Sequence, residues 1–584
     1  MCVLGCRASV SGLRWERSES DERLVLTLVQ RYHFSPLLAE ILISRGILPD
    51  DVPSFIEPTL KSNLPHPFSL KDMEKAALRM ARAVMRGEPI GLMGDYDVDG
   101  ATSVAELKMF LLSCGIQVFT FIPERDDGYG PNAKKMKEFL DLGCSVVATL
   151  DCGVTAFEPI QAGTDLGLDV IVLDHHSPEK TLPNAYAVVN PKRLDEPVQH
   201  PCRHMAAVGV VFLFIVALNK VLREKGFFKE RPEPDLKAYL DLVALGTICD
   251  VVPLKGVNRL FVKAGLKHMK GLKNHGIKAL AETAGISGEF NAYHLGYVLG
   301  PRINACGRIG QSDVAMRLLS CTDAVTAKAL ATELEDLNVL RRDIEAAVLL
   351  EAIEQVESKP LDVPFIFVKG ENWHQGVVGI VAGRLKDKYH LPVFALSIEG
   401  DEVKGSSRSV DGVDLGTLIM KALNQGILTR GGGHMKAAGF SLRRDQMDAF
   451  YNYLIQEIHP ESLKMTPTLQ IDGVLDIAGV TQELLESLKI LEPFGESNPE
   501  PKFVIKDVMI TYPQILKNGH VSCALVGRSG GRLNAIAFRA VDTQIGMTLL
   551  QNQNHYFHVA GTLKLDTWKG NTKIQMYIED LVAA

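Results

Sequence analysis

The 584-residue chain carries 63 basic and 70 acidic residues, a formal net charge of −7, with 46% hydrophobic and 23% charged residues. That composition excludes a disordered, collagen-like or basic-tail protein, and it argues against a uniformly basic nucleic-acid binder while leaving a local basic patch open. A chain of this length buries ample core, and roughly four domains are the starting expectation.

Residues 1–69 form an amino-terminal segment of mixed character and little chemistry. From about residue 88 short apolar runs recur, each followed by a helical stretch: Ile90–Gly94, Val118–Ile122, Ser145–Leu150 and Val170–Leu173. This alternation predicts a parallel sheet with helices on its faces, in a domain covering 70–320. The longest apolar run, Met205–Leu218, is too short to span a bilayer and reads as a buried helix. Thr322–Glu357 contains no Gly or Pro and keeps Leu330, Leu334, Leu337, Ile344, Val348 and Ile353 at helical spacing, so a long connecting helix is expected over 321–358. Phe365–Val368 and Val393–Leu396 belong to a second, smaller α/β domain over 359–459. In 460–584 Val521, Cys523 and Leu525 alternate with polar or small neighbours, as do Phe557, Val559, Leu563 and Leu565, then Ile574, Met576 and Ile578. Short alternating strands with Gly-bearing turns suggest a small barrel or sandwich. The ten cysteines are scattered and none forms CxxC, which favours a reducing cytosol over a disulfide framework or zinc finger. No signal or transit peptide is expected.

The acidic residues fall where the expected strands end. Ile90–Gly94 runs into Asp95-Tyr-Asp97-Val-Asp99-Gly100, Ser145–Leu150 ends at Asp151, and Val170–Leu173 ends at Asp174-His175-His176. A fourth position, Asp250, follows the apolar run Leu242–Ile248. In an open α/β sheet the carboxyl ends of the strands converge on the ligand crevice. A single aspartate after a strand is usually a helix N-cap. Four such positions with a His-His pair point to a metal centre, because crowded carboxylates repel one another unless cations neutralise them. Carboxylates with neutral imidazole suit Mg²⁺ or Mn²⁺. A pair of such ions activates water and stabilises in-line displacement at phosphorus, so the residues alone reach metal-dependent phosphoryl hydrolysis. Asp95-x-Asp97-x-Asp99-Gly100-x5-Glu106 also fits a calcium-loop pattern, but that loop needs a preceding helix. Here a strand precedes it, Ala101–Leu112 reads as helix, and Gly100 permits the sharp turn between them.

At these residues the chain resembles the DHH phosphoesterase superfamily. Asp174-His175-His176 is similar to the triplet that names it, and GDYDVDG (94–100) to its first motif. PERDDGYG (123–130), LDCG (150–153), DLVALGTICDVVPL (241–254), GPRINACGR (300–308), WHQGVVGIVAGRL (373–385), KGSSRS (404–409) and GGGHMKAAGF (431–440) resemble its bacterial single-strand-specific exonuclease branch. The likeness is strong over roughly 70–460 and weaker beyond, where LEPFGESNPEP (491–501) also looks familial. It implies an α/β architecture of a parallel-sheet DHH domain, the long connecting helix, a smaller α/β DHHA1 domain and a carboxyl-terminal OB-like β-barrel. It implies metal-binding positions at Asp97, Asp99, Asp151, His175 and Asp250, with Asp95 and His176 beside them and Asp151 bridging both ions. Asp97, Asp99, Asp151, His175 and His176 are then the catalytic set. Arg125 and Arg302 match basic residues facing phosphates, and Ser406, Arg408 and His434 match residues that hold the terminal phosphate. Arginine forks onto phosphate oxygens, and Gly431–Gly433 would let backbone N–H groups approach an anion. Cys249 and Cys306 depart from the small residues usual in the family, but no implied ligand is missing.

The resemblance implies a 5′→3′ exonuclease that uses two Mn²⁺ or Mg²⁺ ions to release 5′ mononucleotides in DNA repair and recombination in the bacterial cytoplasm. Implied partners are single-stranded DNA, a single-strand binding protein and a RecQ-type helicase. Polarity and strand preference rest on the resemblance alone. An acidic chain needs local bases to hold DNA, and Lys255, Arg259, Lys263, Lys267, Lys270, Lys273 and Lys278 occupy a stretch without acids. Tyr512, Phe538 and Trp568 are either core or stacking residues of the barrel. Two rival readings remain: another DHH phosphodiesterase or pyrophosphatase, which usually lacks the insert between Asp174 and Asp250, and a non-catalytic scaffold, which loses metal ligands.

Overall fold

The computed structural model describes residues 2–124, 130–358, 360, 362–463, 467–528, 530–551, 555–568 and 571–584. They form two compact units, one of Leu64–Val252 with Leu260–Met465, the other of Met1–Asn63 with Pro253–Arg259 and Thr466–Ala584.

The larger unit holds two sheets. The first is wholly parallel, in the order Val118–Phe121, Ile90–Gly94, Val146–Leu150, Asp169–Leu173, Ala187–Val189. Ile90–Gly94 and Val146–Leu150 are buried at every residue, which is what a central strand covered on both faces requires. Helices Ala133–Asp141 and Phe157–Asp165 supply Met136, Phe139 and Ile160 to the core on one face. Val98–Ser113, Ala207–Glu224 and Leu240–Cys249 pack together as a second layer. Ala207–Glu224 takes in the apolar run read as a buried helix from its third residue on, and no helix among the described residues is long and apolar enough to cross a membrane.

The connecting helix is Ala324–Glu357, started by the Asp323 side chain accepting from Thr326 N–H. Its carboxyl-terminal half contributes Val348, Ala352 and Val356 to the core of the next domain. There the sheet order is Arg430–His434, Ala437–Arg443, Glu402–Arg408, Val393–Glu399, Ile366–Glu371, with only the last pair parallel. Gly431–Gly433 therefore lie in an edge strand and not in a loop. A Cβ on Gly431 would lie 2.6 Å from Ile419 and one on Gly433 2.4 Å from Ala438 Cα, so close packing requires glycine at these two positions, whereas Gly432 has nothing within 4 Å.

In the smaller unit a six-stranded sheet curls until Lys502–Leu516 also pairs with Tyr556–Trp568, closing an OB-like barrel. Closure removes the open edges that an isolated sheet would leave. The amino-terminal residues are part of this unit. Leu28, Ile41 and Leu42 share one core with Phe503, Ile505 and Val508 of the barrel. Strand Arg14–Glu16 pairs with Thr468–Gln470, and Trp15 Nε1–H donates to Asp580 Oδ2 at 2.8 Å. Both side chains are fully buried. Trp15→Ala should destabilise this unit by about 3–5 kcal/mol, by leaving a cavity and depriving the buried Asp580 Oδ2 of its donor. Calorimetry of the full chain should show this unit's transition lowered and the other unit's kept; an unchanged thermogram would contradict this role for Trp15.

The basic stretch is not one solvated face. Lys255, Lys267, Lys270, Lys273 and Lys278 are exposed, but Arg259 is buried. Its guanidinium lies over the Phe55 ring at 3.7 Å and donates to the carbonyls of Phe55, Ile490, Leu491, Glu492 and Pro493. A planar cation with five donors binds a turn of carbonyls, two of which Asn498 Nδ2 also donates to, so this residue is structural. Tyr512 and Phe538 are exposed on the barrel at 71% and 51%. The Trp568 side chain lies outside the described residues.

Candidate metal centre and anion pocket

In the order 2-1-3-4-5 the topological switch point falls between the first strand, Ile90–Gly94, and the third, Val146–Leu150. The chain leaves these strands into Asp95 and Asp151. Asp97 caps helix Val98–Ser113, accepting from Gly100 N–H at 3.0 Å. The helix folds back tightly on the loop: a Cβ at Gly100 would lie 2.7 Å from the carbonyl carbon of Asp95. Asp99 is in the first turn of the helix, where its carboxylate accepts from Ala207 N–H (2.7 Å) and Val208 N–H (2.8 Å) at the start of another helix. Asp151 sits in the left-handed region with φ +61, and so does Val251 beside Asp250, with φ +57. Such conformations are uncommon for aspartate and rare for a β-branched residue, and they cluster at functional sites. Asp250 comes from the end of helix Leu240–Cys249, not from a strand.

These residues form three overlapping groups whose ligand atoms lie within 4.8 Å of one another: Asp95, Asp97 and Asp151; Asp151, His175 and His176; Asp99, His175 and Asp250. Asp151 and His175 each belong to two groups. His175 Nδ1 lies 3.1 Å from the Met205 carbonyl, which can only accept, so the proton sits on Nδ1 and Nε2 presents a lone pair. That lone pair faces Asp151 Oδ1 at 3.3 Å and Asp99 Oδ2 at 3.8 Å. Asp174 accepts from the N–H groups of Val154, His175 and His176 and from His176 Nδ1 at 2.8 Å, so it orients the pair of histidines.

The electrostatics follow from burial. Burial, then the charge of Asp97, pushes Asp99 up to about 7. Burial, then Asp99 and Asp97, pushes Asp250 up to about 9. Burial and the neighbouring carboxylates raise Asp151 well above the usual carboxylate range. Burial would also raise Asp174, but the hydrogen bonds and charge of His176 bring it down to about 2. Burial, then the charges of His176 and Lys192, lowers His175 to about 3. His176 is raised, since the hydrogen bond to Asp174 and its charge outweigh burial.

A divalent cation fits this arrangement. His175 Nε2 and Asp250 Oδ2 are buried and make no hydrogen bond among the described residues. Lone pairs converge with no donor between them, and oxygen with imidazole donors suits Mg²⁺ or Mn²⁺. Asp95, Asp97, Asp99, Asp151, His175, His176 and Asp250 are the residues that would hold such ions.

In the second domain Arg408 and His434 are aligned opposite Ala437 from either side, and Ser406 opposite Gly439. Ser406, Arg408 and His434 therefore lie on one face of the sheet, with small residues between them. Arg408 Nη1 donates to Ser406 Oγ (3.2 Å) and to the Ser407 carbonyl (2.9 Å). It is half-buried with no carboxylate partner among the described residues, and burial lowers its pKa. A cation so placed fits an anion. Arg302 is engaged by Glu335 through Nε and by the Val298 carbonyl through Nη1 at 2.7 Å. Arg125 lies outside the described residues. Trp373 is a packing residue, its indole N–H bonded to Glu351 at 2.8 Å.

Two groups near the site escape the sequence pattern. Lys192 follows the short fifth strand Ala187–Val189 and acts electrostatically on Asp250, Asp174 and Asp151. The apolar run that forms this strand was the available signal. Tyr293 and Tyr297 stack at 5.4 Å and are largely exposed, on the turn whose Leu295 carbonyl accepts from Cys249 Sγ beside Asp250. They are four residues apart, a spacing that puts both on one face of the irregular helix His294–Leu299 and the residue before it.

Three family models match the chain: the DHH family N-terminal domain over 89–247, the DHHA1 domain over 362–459 and the RecJ OB domain over 471–580. A single-stranded-DNA-specific exonuclease RecJ of Escherichia coli is 34% identical over 586 residues, covering 97% of this chain and 99% of that protein. The chain belongs to the RecJ family. The Bacillus subtilis RecJ is 33% identical over 98% of this chain and 71% of its own length. The crystal structure of Thermus thermophilus RecJ in complex with Mn²⁺ superimposes with a TM-score of 0.81 at 29% identity, covering 97% of this chain and 79% of that one. A Mg²⁺ complex of the same RecJ gives 0.75 at 28% identity.

Proposed function

We propose that this chain is a metal-dependent exonuclease that degrades single-stranded DNA from its 5′ end to 5′ mononucleotides, in DNA repair and recombination. The observation that carries this reading is the set of three overlapping ligand groups sharing Asp151 and His175 at the switch point of a parallel sheet. Divalent ions bound there supply Lewis acidity and lower the pKa of water. Asp99 and Asp151 set their positions through fixed backbone, and Asp174, accepting from His176 Nδ1–H, favours the imidazolium, whose Nε2–H can donate to a phosphate or leaving oxygen. Ser406, Arg408 and His434 hold the terminal phosphate, with Arg125 and Arg302 as further phosphate contacts, and Tyr293 and Tyr297 offer ring faces to bases. The expected partners besides single-stranded DNA are a single-strand binding protein and a RecQ-type helicase. All ten cysteines are free, as suits the cytoplasm.

The test uses single strands labelled at either end, with duplex and RNA controls, in Mn²⁺ or Mg²⁺. Labelled mononucleotide should leave the 5′ end first; release from the 3′ end first would overturn the polarity. Arg408→Ala should lower kcat/KM on a 5′-phosphorylated strand by roughly 10- to 100-fold, the value of one charge-assisted hydrogen-bonding group, with little effect on a 5′-hydroxyl strand. Equal losses on both strands would remove Arg408 from the terminal-phosphate site.

A further inference from the structure

Three glycines connect the metal loop to the anion pocket, two through contacts with backbone and the third through contacts with the pocket's side chains. Tyr96 lies between Asp95 and Asp97, and a Cβ on Gly307 would stand 2.5 Å from its carbonyl oxygen. Gly307 is on helix Gly300–Ile309. The next residue, Arg308, turns its carbonyl to Gly376 on helix Gln375–Tyr389 of the second domain. A Cβ there would stand 2.9 Å from the Arg308 carbonyl carbon and closer still to its oxygen. Arg308 Nη1 donates back to the Gly376 carbonyl at 3.0 Å, pinning the same contact from the other direction. One turn along that helix, a Cβ on Gly379 would stand 3.0 Å from Ser406 Oγ and 3.2 Å from Arg408 Nη2. Positions three apart share a helix face, so one face of this helix touches the metal-bearing domain at Gly376 and the anion pocket at Gly379.

We propose that Gly307, Gly376 and Gly379 are positioning residues that set the distance between the metal centre and the Ser406–Arg408 pocket, so that a terminal phosphate held in the pocket places the adjoining phosphodiester at the metals. The proposal rests on the terminal-phosphate reading above. Side chains at an interface can absorb a displacement by changing rotamer, whereas backbone packed directly on backbone cannot. Spacing carried by the Gly307–Tyr96 and Gly376–Arg308 contacts is accordingly stiff, and a reacting group misplaced by about 1 Å loses up to roughly 100-fold in rate. The same helix supplies its own control. Gly383 has nothing within 4 Å of an added Cβ, so Gly383→Ala makes the same chemical change without touching either neighbour.

The experiment compares kcat/KM on 5′-phosphorylated and 5′-hydroxyl strands in one enzyme preparation, so that the ratio does not depend on the fraction of active protein. Mn²⁺ binding is measured by calorimetry on each variant. Gly376→Ala should lower the ratio by at least about fivefold and Gly379→Ala by about threefold, with Mn²⁺ affinity kept, while Gly383→Ala stays within about twofold of the parent. If Gly376→Ala fails to fold, Gly379→Ala decides, because its added methyl meets only the ends of two side chains. A parent enzyme that prefers 5′-phosphate, with Gly379→Ala and any folded Gly376→Ala matching Gly383→Ala, would overturn the spacing role alone. A parent enzyme with no preference for 5′-phosphate would overturn the terminal-phosphate reading and the spacing role with it.

Discussion

Asp151→Asn should abolish hydrolysis of single-stranded DNA and at the same time raise the melting temperature of the metal-free protein. Asp151 belongs to two of the three ligand groups, so no other single substitution removes a donor from more of the centre. Its φ of +61 is tolerated by asparagine as readily as by aspartate, so the change is electrostatic and leaves the turn intact. Loss of metal-derived stabilisation of roughly 4–6 kcal/mol corresponds to about 10³- to 10⁴-fold in kcat. In the metal-free protein the same substitution removes a buried acid that the charges of Asp95, Asp97, Asp99 and Asp250 oppose, which relieves the fold. Single-turnover hydrolysis and differential scanning fluorimetry in EDTA check the two effects. Retained activity would remove Asp151 from the centre, and a lowered melting temperature would contradict the electrostatic account.

Metal-free protein should also lose stability as pH rises, and divalent ions should lessen that loss. Asp99 at about 7 and Asp250 at about 9 keep protons in the folded chain that an unfolded carboxylate releases near pH 4. The folded state therefore binds more protons between those limits, and stability falls by about 1.4 kcal/mol per pH unit for each proton retained. His175 opposes this below its unfolded value of about 6.5, because it stays neutral in the fold down to about 3 while the unfolded imidazole takes up a proton. Above pH 6.5 that compensation is gone, and the decline should continue to about pH 9 as Asp250 ionises. Saturating Mg²⁺ requires the ionised carboxylates, so it should release protons on binding and flatten the profile. Melting temperatures across pH 5–9 with EDTA or Mg²⁺ test this. A metal-free profile that is flat above pH 6.5, or one that keeps its slope in Mg²⁺, would contradict the assignment of these acids to the centre.

The sequence by itself determined what is local. Fully apolar runs such as Ile90–Gly94 and Val146–Leu150 can be satisfied only as covered parallel strands, and acids placed directly after such strands converge because the strands point the same way. Asp323 followed by 34 residues without Gly or Pro could scarcely be anything but a long helix. What needed the tertiary structure depends on partners distant in the chain. Trp15 finds Asp580, Arg259 finds the carbonyls of residues 490–493, and Arg308 finds Gly376, and no periodicity in a local window encodes these meetings. Lys192 reaches the centre from the segment after a three-residue strand, where local patterning is weakest, whereas Asp250 was marked by the apolar run before it and only its place at a helix end was not. Glycine normally weakens a strand, so nothing local places Gly431–Gly433 in one, yet the neighbouring Ile419 and Ala438 demand glycine at 431 and 433. Local chemistry thus placed the metal-binding acids along the chain. The spacing between metal centre and anion pocket, together with the burial that shifts the acids, exists only once the elements pack, because both depend on distances through space.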